Sequence, residues 1–293
     1  MSSRKPTGPP PPPVVQRLRI RYAKRGRLRF SSHRDFARAF ERALRRADVP
    51  MAYSAGFTPH PKISYVGAAP TGVASEAEYL EIGLAQPRDP TAMGAALDAA
   101  LPDGMDVVEV VEVGAATGES LAARIDASAW EVALPGVDGD DAARAVAAFL
   151  AETTVPVQRV TKDGHRELDA RAPVISAVVR VAAPVMSAAE RVAAPVMSAA
   201  ERVAVPVMSA VERVAAGGAE RPCAIIDLVV RHVTPAVRPD DVLTGLRSVA
   251  GLDLPAPAAV TRLAQGRLDE SGALTDPLAV DRAARADGQP VPS

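Results

Sequence analysis

Cysteine is nearly absent from this sequence of 293 residues, and its scarcity removes several functions at once. The single Cys223 excludes an internal disulfide, a cysteine-based zinc site and a three-cysteine iron–sulfur motif. The chain also has only four histidines, and its carboxylates form no cluster with the spacing of metal ligands. We therefore expect no cofactor and no metal site.

Long apolar runs are missing as well. No stretch of about 18 uncharged apolar residues occurs, so no segment is expected to span a membrane. The opening residues, MSSRKPTGPPPPP, contain no apolar core of the signal-peptide kind. Their proline content instead predicts a disordered leader over residues 1–13. We expect a cytoplasmic protein that has no membrane partner.

Acidic residues are scarce only at the start of the chain. The net charge is −1, yet residues 1–50 contain 14 Lys and Arg against 3 Asp and Glu. All four tyrosines and four of the five phenylalanines precede residue 80. Basic groups among aromatic rings suit single-stranded nucleic acid, whose bases stack while its phosphates are neutralised. The alternative is that the rings form a core and the charges form a solvated face.

The order of the predicted elements indicates an α+β fold. Over residues 14–114 the periodicities predict a strand, a helix, two strands, a helix and a strand, which is the ferredoxin-like βαββαβ order. The same order recurs more faintly over residues 121–268. We therefore expect two tandem ferredoxin-like units. The polar, proline-dotted residues 269–293 predict a disordered tail.

A low-complexity repeat interrupts the second unit. RVAAPVMSAAE occurs twice and RVAVPVMSAVE once, in direct succession over residues 180–212. Three near-identical units indicate a recent in-frame duplication, and the proline in each unit stops a helix early. We expect residues 183–220 to form a loop inserted into a hairpin. A proline motif that binds a partner is the alternative.

Arginines of the first strand are one group of candidate nucleic-acid-binding residues. The period of two places Arg17, Arg19 and Arg21 on the same face of the strand. Since the helices of a ferredoxin-like unit cover the other face, we expect these arginines on an open sheet face together with Tyr79 and Glu81. There they either bind phosphates or pair with Glu81.

The first helix carries the second group of candidates. Ser32 followed three residues later by Asp35 predicts a capped helix start. An apolar stripe on one face of this helix leaves Arg38, Arg42 and Arg45 on another face at helical spacing. These arginines are expected to contact phosphates.

Residues 53–81 are the most constrained stretch, because glycines and prolines punctuate them throughout. Shaped loops of this kind often carry sites. If the loop and the first helix open at the same end of the sheet, His33, His60 and Lys62 line one cleft, where Lys62 and the helix start make an anion site. The two histidines are then candidate catalytic residues. The alternative is that His60 is a turn residue with a solvent-facing imidazole.

A family resemblance is carried by four segments: RLRFSSHRDFARAFERALRRADVP, YSAGFTPHPKISY, PTGVASEAEYLEI and RHVTPAVRPDDVL. They resemble the radical-SAM-associated family of unknown function. The resemblance covers residues 15–268 and is interrupted by the repeat. The resemblance implies an association with a radical SAM enzyme, because in many bacteria such a domain is fused to the C-terminal side of a cobalamin-binding radical SAM protein. A similar standalone actinobacterial form is encoded near ribonuclease E/G.

Three functions follow from the residues and this context. The first is a non-catalytic RNA-binding accessory protein that serves a radical SAM enzyme or ribonuclease E/G. The second is a nuclease or hydrolase that uses His33 and His60 as base and acid, with Lys62 steadying a phosphate. The third is a protein-interaction subunit that binds no nucleic acid. The radical enzyme itself is excluded, because the chain lacks the cysteines for an iron–sulfur cluster.

Overall fold

The computed structural model describes residues 11–114, 118–161, 164–181 and 222–286. It confirms the expected mixed α+β architecture with mostly antiparallel strands. The chain divides into two compact units, of which the first consists of Met1–Ala127 and Arg262–Ser293 and the second of Ser128–Thr261. None of the helices in the described ranges is long and apolar enough to cross a bilayer.

The first unit begins with six elements. They are β1 (Gln16–Lys24), α1 (His33–Arg46), β2 (Ile63–Val66), β3 (Ala74–Leu84), α2 (Pro90–Ala100) and β4 (Met105–Glu112). β1 lies between β4 and β3 and runs antiparallel to both, while β2 runs antiparallel to β3. The alternation of β1 directs Leu18 and Ile20 into the core, where they meet Phe40 of α1 and Leu97 of α2. Both helices therefore pack on one face of this sheet.

The second unit contains seven elements. They are β5 (Ala127–Pro135), α3 (Gly139–Ala151), the hairpin of β6 (Pro156–Thr161) and β7 (Gly164–Asp169), β8 (Val174–Val181), β9 (Cys223–Arg231) and α4 (Pro239–Ala250). β9 lies between β5 and β8. The two helices approach closely at Gly245, where an added Cβ would lie 2.7 Å from the ring of Phe149. Only glycine fits this position without a shift in the packing.

The ends of the second unit differ from the sequence expectation. The sequence assigned residues 121–268 to it, whereas the compact unit is Ser128–Thr261. The flanking residues contact the first unit: the Asp126 N–H donates to the Gly266 carbonyl at 3.0 Å, and the Leu268 N–H donates to the Asp126 carboxylate at 2.8 Å. Residues 1–10 and the expected insert at 183–220 lie outside the described residues.

The chain returns to the first unit through β10 (Ala259–Leu268), β11 (Leu274–Thr275) and α5 (Ala279–Ala286). The expectation that residues 269–293 form a disordered tail is therefore wrong as far as residue 286. Leu278, at the entrance of α5, is completely buried and packs in a cluster with Ala77, Tyr79, Val111, Leu121 and Ile125. The burial of Leu278 and of the acidic side chain of Asp281 anchors this segment in the first unit.

The same segment overturns the expectation of an open sheet face. Arg19 retains only 2% of its exposure and donates to Asp281 at 2.8 Å, to Glu81 at 3.0 Å and to the Glu119 carbonyl at 2.9 Å. Tyr79 is equally buried, and this burial raises the pKa of its phenol to about 12. α5 and the short 3-10 helix Leu121–Arg124 cover the face that the sequence left open.

The buried ion pair generates a first prediction. Asp281→Ala should lower the free energy of unfolding by about 3–5 kcal/mol, because it removes the buried carboxylate that the guanidinium groups of Arg19 and Arg124 share. Denaturant titration measures the loss. The matched control is Arg17→Ala: this side chain is 63% exposed and lies 3.9 Å from Glu81, so it should cost less than about 0.5 kcal/mol. Similar losses for both variants would contradict the assignment.

Candidate functional site

The helix α1 presents a basic surface. A capping box begins it, as predicted: the Asp35 N–H donates to Ser32 Oγ at 3.2 Å, and Ser32 Oγ donates to the Asp35 carboxylate at 2.6 Å. Phe36 and Phe40 of the buried stripe hold the helix on the sheet. Because the face with Phe36 and Phe40 packs on the sheet, the opposite face of α1 is exposed to solvent.

Four arginines share the solvent-facing side of α1, and we call them the α1 arginine row: Arg34, Arg38, Arg42 and Arg45. They fall within about 80° around a helix of 3.6 residues per turn and span about 16 Å along its axis. All four are exposed, and within the described ranges none of them forms an ion pair. The sequence identified three of these residues, and the structure adds Arg34 in the first turn.

The aromatic side chains divide between core and surface. Tyr22 and Phe36 stack inside the core, with 4.3 Å between their ring centroids, which fits the alternative that these rings form a core instead of a binding surface. Phe30 and Phe57 are instead 59% and 72% exposed. The Arg29 guanidinium lies 4.7 Å from the centroid of the Phe30 ring, an arrangement typical of a cation–π contact. These two exposed phenylalanines flank α1 in sequence.

The arginines of β1 do not form the expected row. Arg19 is buried in its ion pairs, and Arg21 donates to the Glu76 carbonyl at 2.9 Å. Arg17 is exposed to solvent. A phosphate-binding role for Arg19 would break the buried network, so we remove this residue from the candidate surface.

The three residues of the predicted cleft occupy two places. His33 lies at the start of α1, with its ring 4.9 Å from that of Tyr65 in an edge-on contact. His60 lies in an exposed loop, where its N–H donates to Ser54 Oγ at 3.0 Å. Lys62 adjoins Gly83 through its carbonyl, which accepts from the Gly83 N–H at 3.0 Å.

A different lysine accompanies His33. His33 and Lys24 line a small recess together with Ser31 and Glu78, and we call it the Lys24 pocket. Neither His60 nor Lys62 lines it. Glu78 and Gly83 are five positions apart on β3, which corresponds to about 17 Å along a strand.

Lys24 is the least expected member of this pocket. Only 5% of its surface is exposed, and its Nζ donates to the carbonyls of Ala69 and Pro70 at 3.3 and 3.2 Å. The neighbouring Glu78 is also buried, forms an ion pair with Arg262 and accepts from the Ala69 N–H at 3.1 Å. Burial lowers the pKa of the Lys24 ammonium, and Arg262 adds to this shift while Glu78 opposes it.

A signal for Lys24 was present in the sequence. Leu18, Ile20, Tyr22 and Lys24 share one parity, so the lysine follows the apolar face of its strand. The sequence Lys24-Arg25-Gly26 is typical of a turn or bulge; the structure has a shift in strand register between Tyr22 and Lys24, and β1 includes the lysine. A lysine at a core-facing position is unusual and marks a place to look for a partner or a ligand.

Two comparisons with known proteins bear on this site. A family model described as "Uncharacterized protein conserved in bacteria (DUF2344)" matches residues 17–239, which include α1, the exposed loop of His60 and the β1–β3 part of the pocket. No curated protein matches the chain.

The Lys24 pKa generates a second prediction. Lys24 binds its proton less tightly in the folded protein than in the unfolded chain. At pH values between the lowered pKa and the usual value near 10.5, folding therefore releases a proton. In that pH range the free energy of unfolding should rise with pH relative to Lys24→Met, by at most about 1.4 kcal/mol per pH unit. Denaturant titrations of both proteins over a pH series measure the difference. Parallel curves would show that the ammonium is not desolvated.

Proposed function

This chain belongs to that uncharacterized bacterial family, and we propose that it is a non-catalytic, cytoplasmic RNA-binding accessory protein whose phosphate-contacting surface is the α1 arginine row. The α1 arginine row is the observation that supports this proposal. Four guanidinium groups stand on one helix face, and within the described ranges none of them forms an ion pair, while the nearby Asp35 carboxylate is hydrogen-bonded to Ser32. Guanidinium forks bind phosphate oxygens in pairs, so the row suits a phosphate backbone better than isolated surface charges do.

The exposed rings favour a single-stranded ligand. An aromatic side chain gains little from facing water, whereas it can stack on an unpaired base. Phe30, with the Arg29 guanidinium beside it, and Phe57 provide two such platforms. Stacking on a ring is tolerant of base identity. We therefore propose RNA binding with weak sequence preference.

The element order supports the finer fold assignment as a proposal. The first unit follows βαββαβ with neighbours β4, β1, β3 and β2, which is the ferredoxin-like arrangement. From β5 to β10 the second unit repeats strand, helix, two strands, helix and strand, with the β6–β7 hairpin added after α3. We propose that the protein consists of tandem ferredoxin-like units. We also propose a radical SAM enzyme or ribonuclease E/G as the partner that receives the bound RNA.

A charge-reversal experiment tests the RNA-binding surface. Arg38→Glu, Arg42→Glu and Arg45→Glu together should abolish measurable binding to single-stranded RNA at moderate salt, because the row becomes repulsive. In the wild type, affinity should fall steeply with salt, and three neutral replacements at these positions should reduce the slope of log K against log salt by about 2. Fluorescence anisotropy over a salt series measures both. The melting temperature should stay nearly constant, since exposed substitutions cost little.

A control variant distinguishes a loss of the α1 arginine row from a change in the net charge of the protein. Arg144, Arg247 and Arg285 are more than half exposed and lie outside α1, so their replacement by Glu makes the same change in charge. This variant should bind RNA nearly as the wild type does. Equal loss in both variants, or wild-type affinity that does not depend on salt, would refute the proposed surface. RNA cleavage lost in His33→Ala would instead support the nuclease, and a nuclease-resistant protein complex would support the interaction subunit.

Removal of the exposed rings tests stacking. Phe30→Ala and Phe57→Ala should each weaken binding to single-stranded RNA by about 1–3 kcal/mol if the ring stacks on a base. Double-stranded RNA should be bound no more weakly by these variants than by the wild type. Val160→Ala removes an equally exposed apolar side chain from the second unit and serves as the control. Unchanged affinity in both phenylalanine variants would remove the stacking platforms from the proposal.

A further inference from the structure

We propose that the Lys24 pocket binds a phosphate monoester anion, held by the Lys24 ammonium at its base and by His33 and Ser31 at its mouth. This site is separate from the α1 arginine row, and it does not require that the row bind RNA. The ligand is either inorganic phosphate or the terminal phosphate of a nucleic acid, which present the same group.

The charges around Lys24 carry the inference. The charged side chains whose fields act on Lys24 are Glu78 and Arg262, and the carboxylate is already committed to the ion pair with Arg262. Lys24 therefore has no carboxylate of its own among the described residues. Lys24 and Arg262 share one carboxylate, and burying two cations with one counter-charge is costly, so an anion in the pocket would stabilise the folded protein.

The hydrogen bonds of Lys24 point the same way. An ammonium has three protons, and two of them are donated to backbone carbonyls at the long distances of 3.2 and 3.3 Å. The third has no acceptor in the described part of the chain. The group is thus buried but incompletely satisfied, and it lines a recess that an acceptor can enter.

The rim of the recess favours phosphate over a carboxylate. His33 contributes an imidazole, Ser31 contributes a hydroxyl, and both belong to the segment that begins α1. A phosphoryl group has several acceptor oxygens and can use donors that converge from different sides, and the positive end of the helix dipole adds to the attraction. The Asp35 carboxylate on the same turn is bound to Ser32 and does not line the recess.

The size of the recess limits the ligand. Its walls are Tyr22, Phe36, Ala68 and Ala69, and they belong to β1, α1 and the segment between β2 and β3. The Lys24 pocket is far smaller than the clefts that enclose whole cofactors. The recess, with a volume of about 10 Å³, has room for one water-sized group, so one phosphoryl oxygen reaches Lys24 while the rest of the ligand stays outside.

Titration calorimetry with three proteins tests the proposal. Inorganic phosphate should bind the wild type and Lys62→Met with the same affinity, since Lys62 is exposed and outside the pocket. Lys24→Met should bind about thirtyfold more weakly or worse, because it removes the buried partner charge. His33→Ala should weaken binding about tenfold. Acetate at equal ionic strength should bind no protein measurably.

Three oligonucleotides of one sequence identify the source of the phosphate. They carry a 5′-phosphate, a 3′-phosphate or hydroxyls at both ends. Tighter binding of one phosphorylated form, lost in Lys24→Met, assigns the pocket to a nucleic-acid end. Equal binding of all three, with inorganic phosphate still bound, assigns it to free phosphate. The Arg38, Arg42 and Arg45 triple variant should keep its affinity for inorganic phosphate, so failure of the RNA surface is distinguishable from failure of the pocket.

Several outcomes would overturn the proposal. Phosphate that binds Lys24→Met as tightly as the wild type, or binds no variant, rejects the site, and acetate that binds as tightly as phosphate rejects the ligand class. If Lys24→Met does not fold, His33→Ala and the pH dependence of wild-type binding decide. Since Glu78, Arg262, Tyr22 and His33 surround the ammonium, a bound anion favours its charged form. Phosphate affinity should therefore fall as pH rises through the lowered Lys24 pKa, and constant affinity would exclude Lys24 as a ligand.

Discussion

The first unit depends on one buried ion pair, between Arg19 and Asp281. A guanidinium inside a protein is tolerated only when opposite charge and hydrogen-bond acceptors surround it. Arg19 sits in the middle of the central strand β1, so its partners must come from elsewhere in the chain. α5 supplies Asp281, β3 supplies Glu81, and residue 119 supplies a carbonyl. The charge on one strand thereby determines where a distant helix must dock.

The same constraint is met differently on the other face of that strand. Arg19 is surrounded by two carboxylates, whereas Lys24 has backbone carbonyls and a carboxylate that is already paired. This contrast explains why burial lowers the pKa of Lys24. On one face of β1 the buried Arg19 is fully paired with carboxylates. On the other face Lys24 can still pair with an anion. The solvated α1 arginine row has no such constraint, because water screens its charges.

Much of the architecture followed from periodicity. The order of strands and helices over residues 14–114 and the capping box of Ser32 and Asp35 were predicted, because periodicity and capping are local properties. The burial of Arg19 was not, since a period of two shows that a strand has two kinds of face but not whether a later segment covers the polar one. The burial of Lys24 was not predicted, because the Lys-Arg-Gly sequence is typical of a turn or bulge, and a shift in strand register does precede the lysine. The place of Lys24 beside His33 depends on tertiary contacts, which spacing alone does not determine.

The return of residues 262–286 to the first unit has a consequence for biosynthesis. Arg19 and Asp281 are 262 positions apart, so a ribosome must translate the whole second unit after β1 emerges and before this carboxylate partner of Arg19 exists. At typical elongation rates this interval is on the order of ten seconds or more. During that time the nascent first unit lacks the helix that seals its charged face. The final packing of the first unit is therefore a late event in the synthesis of the chain.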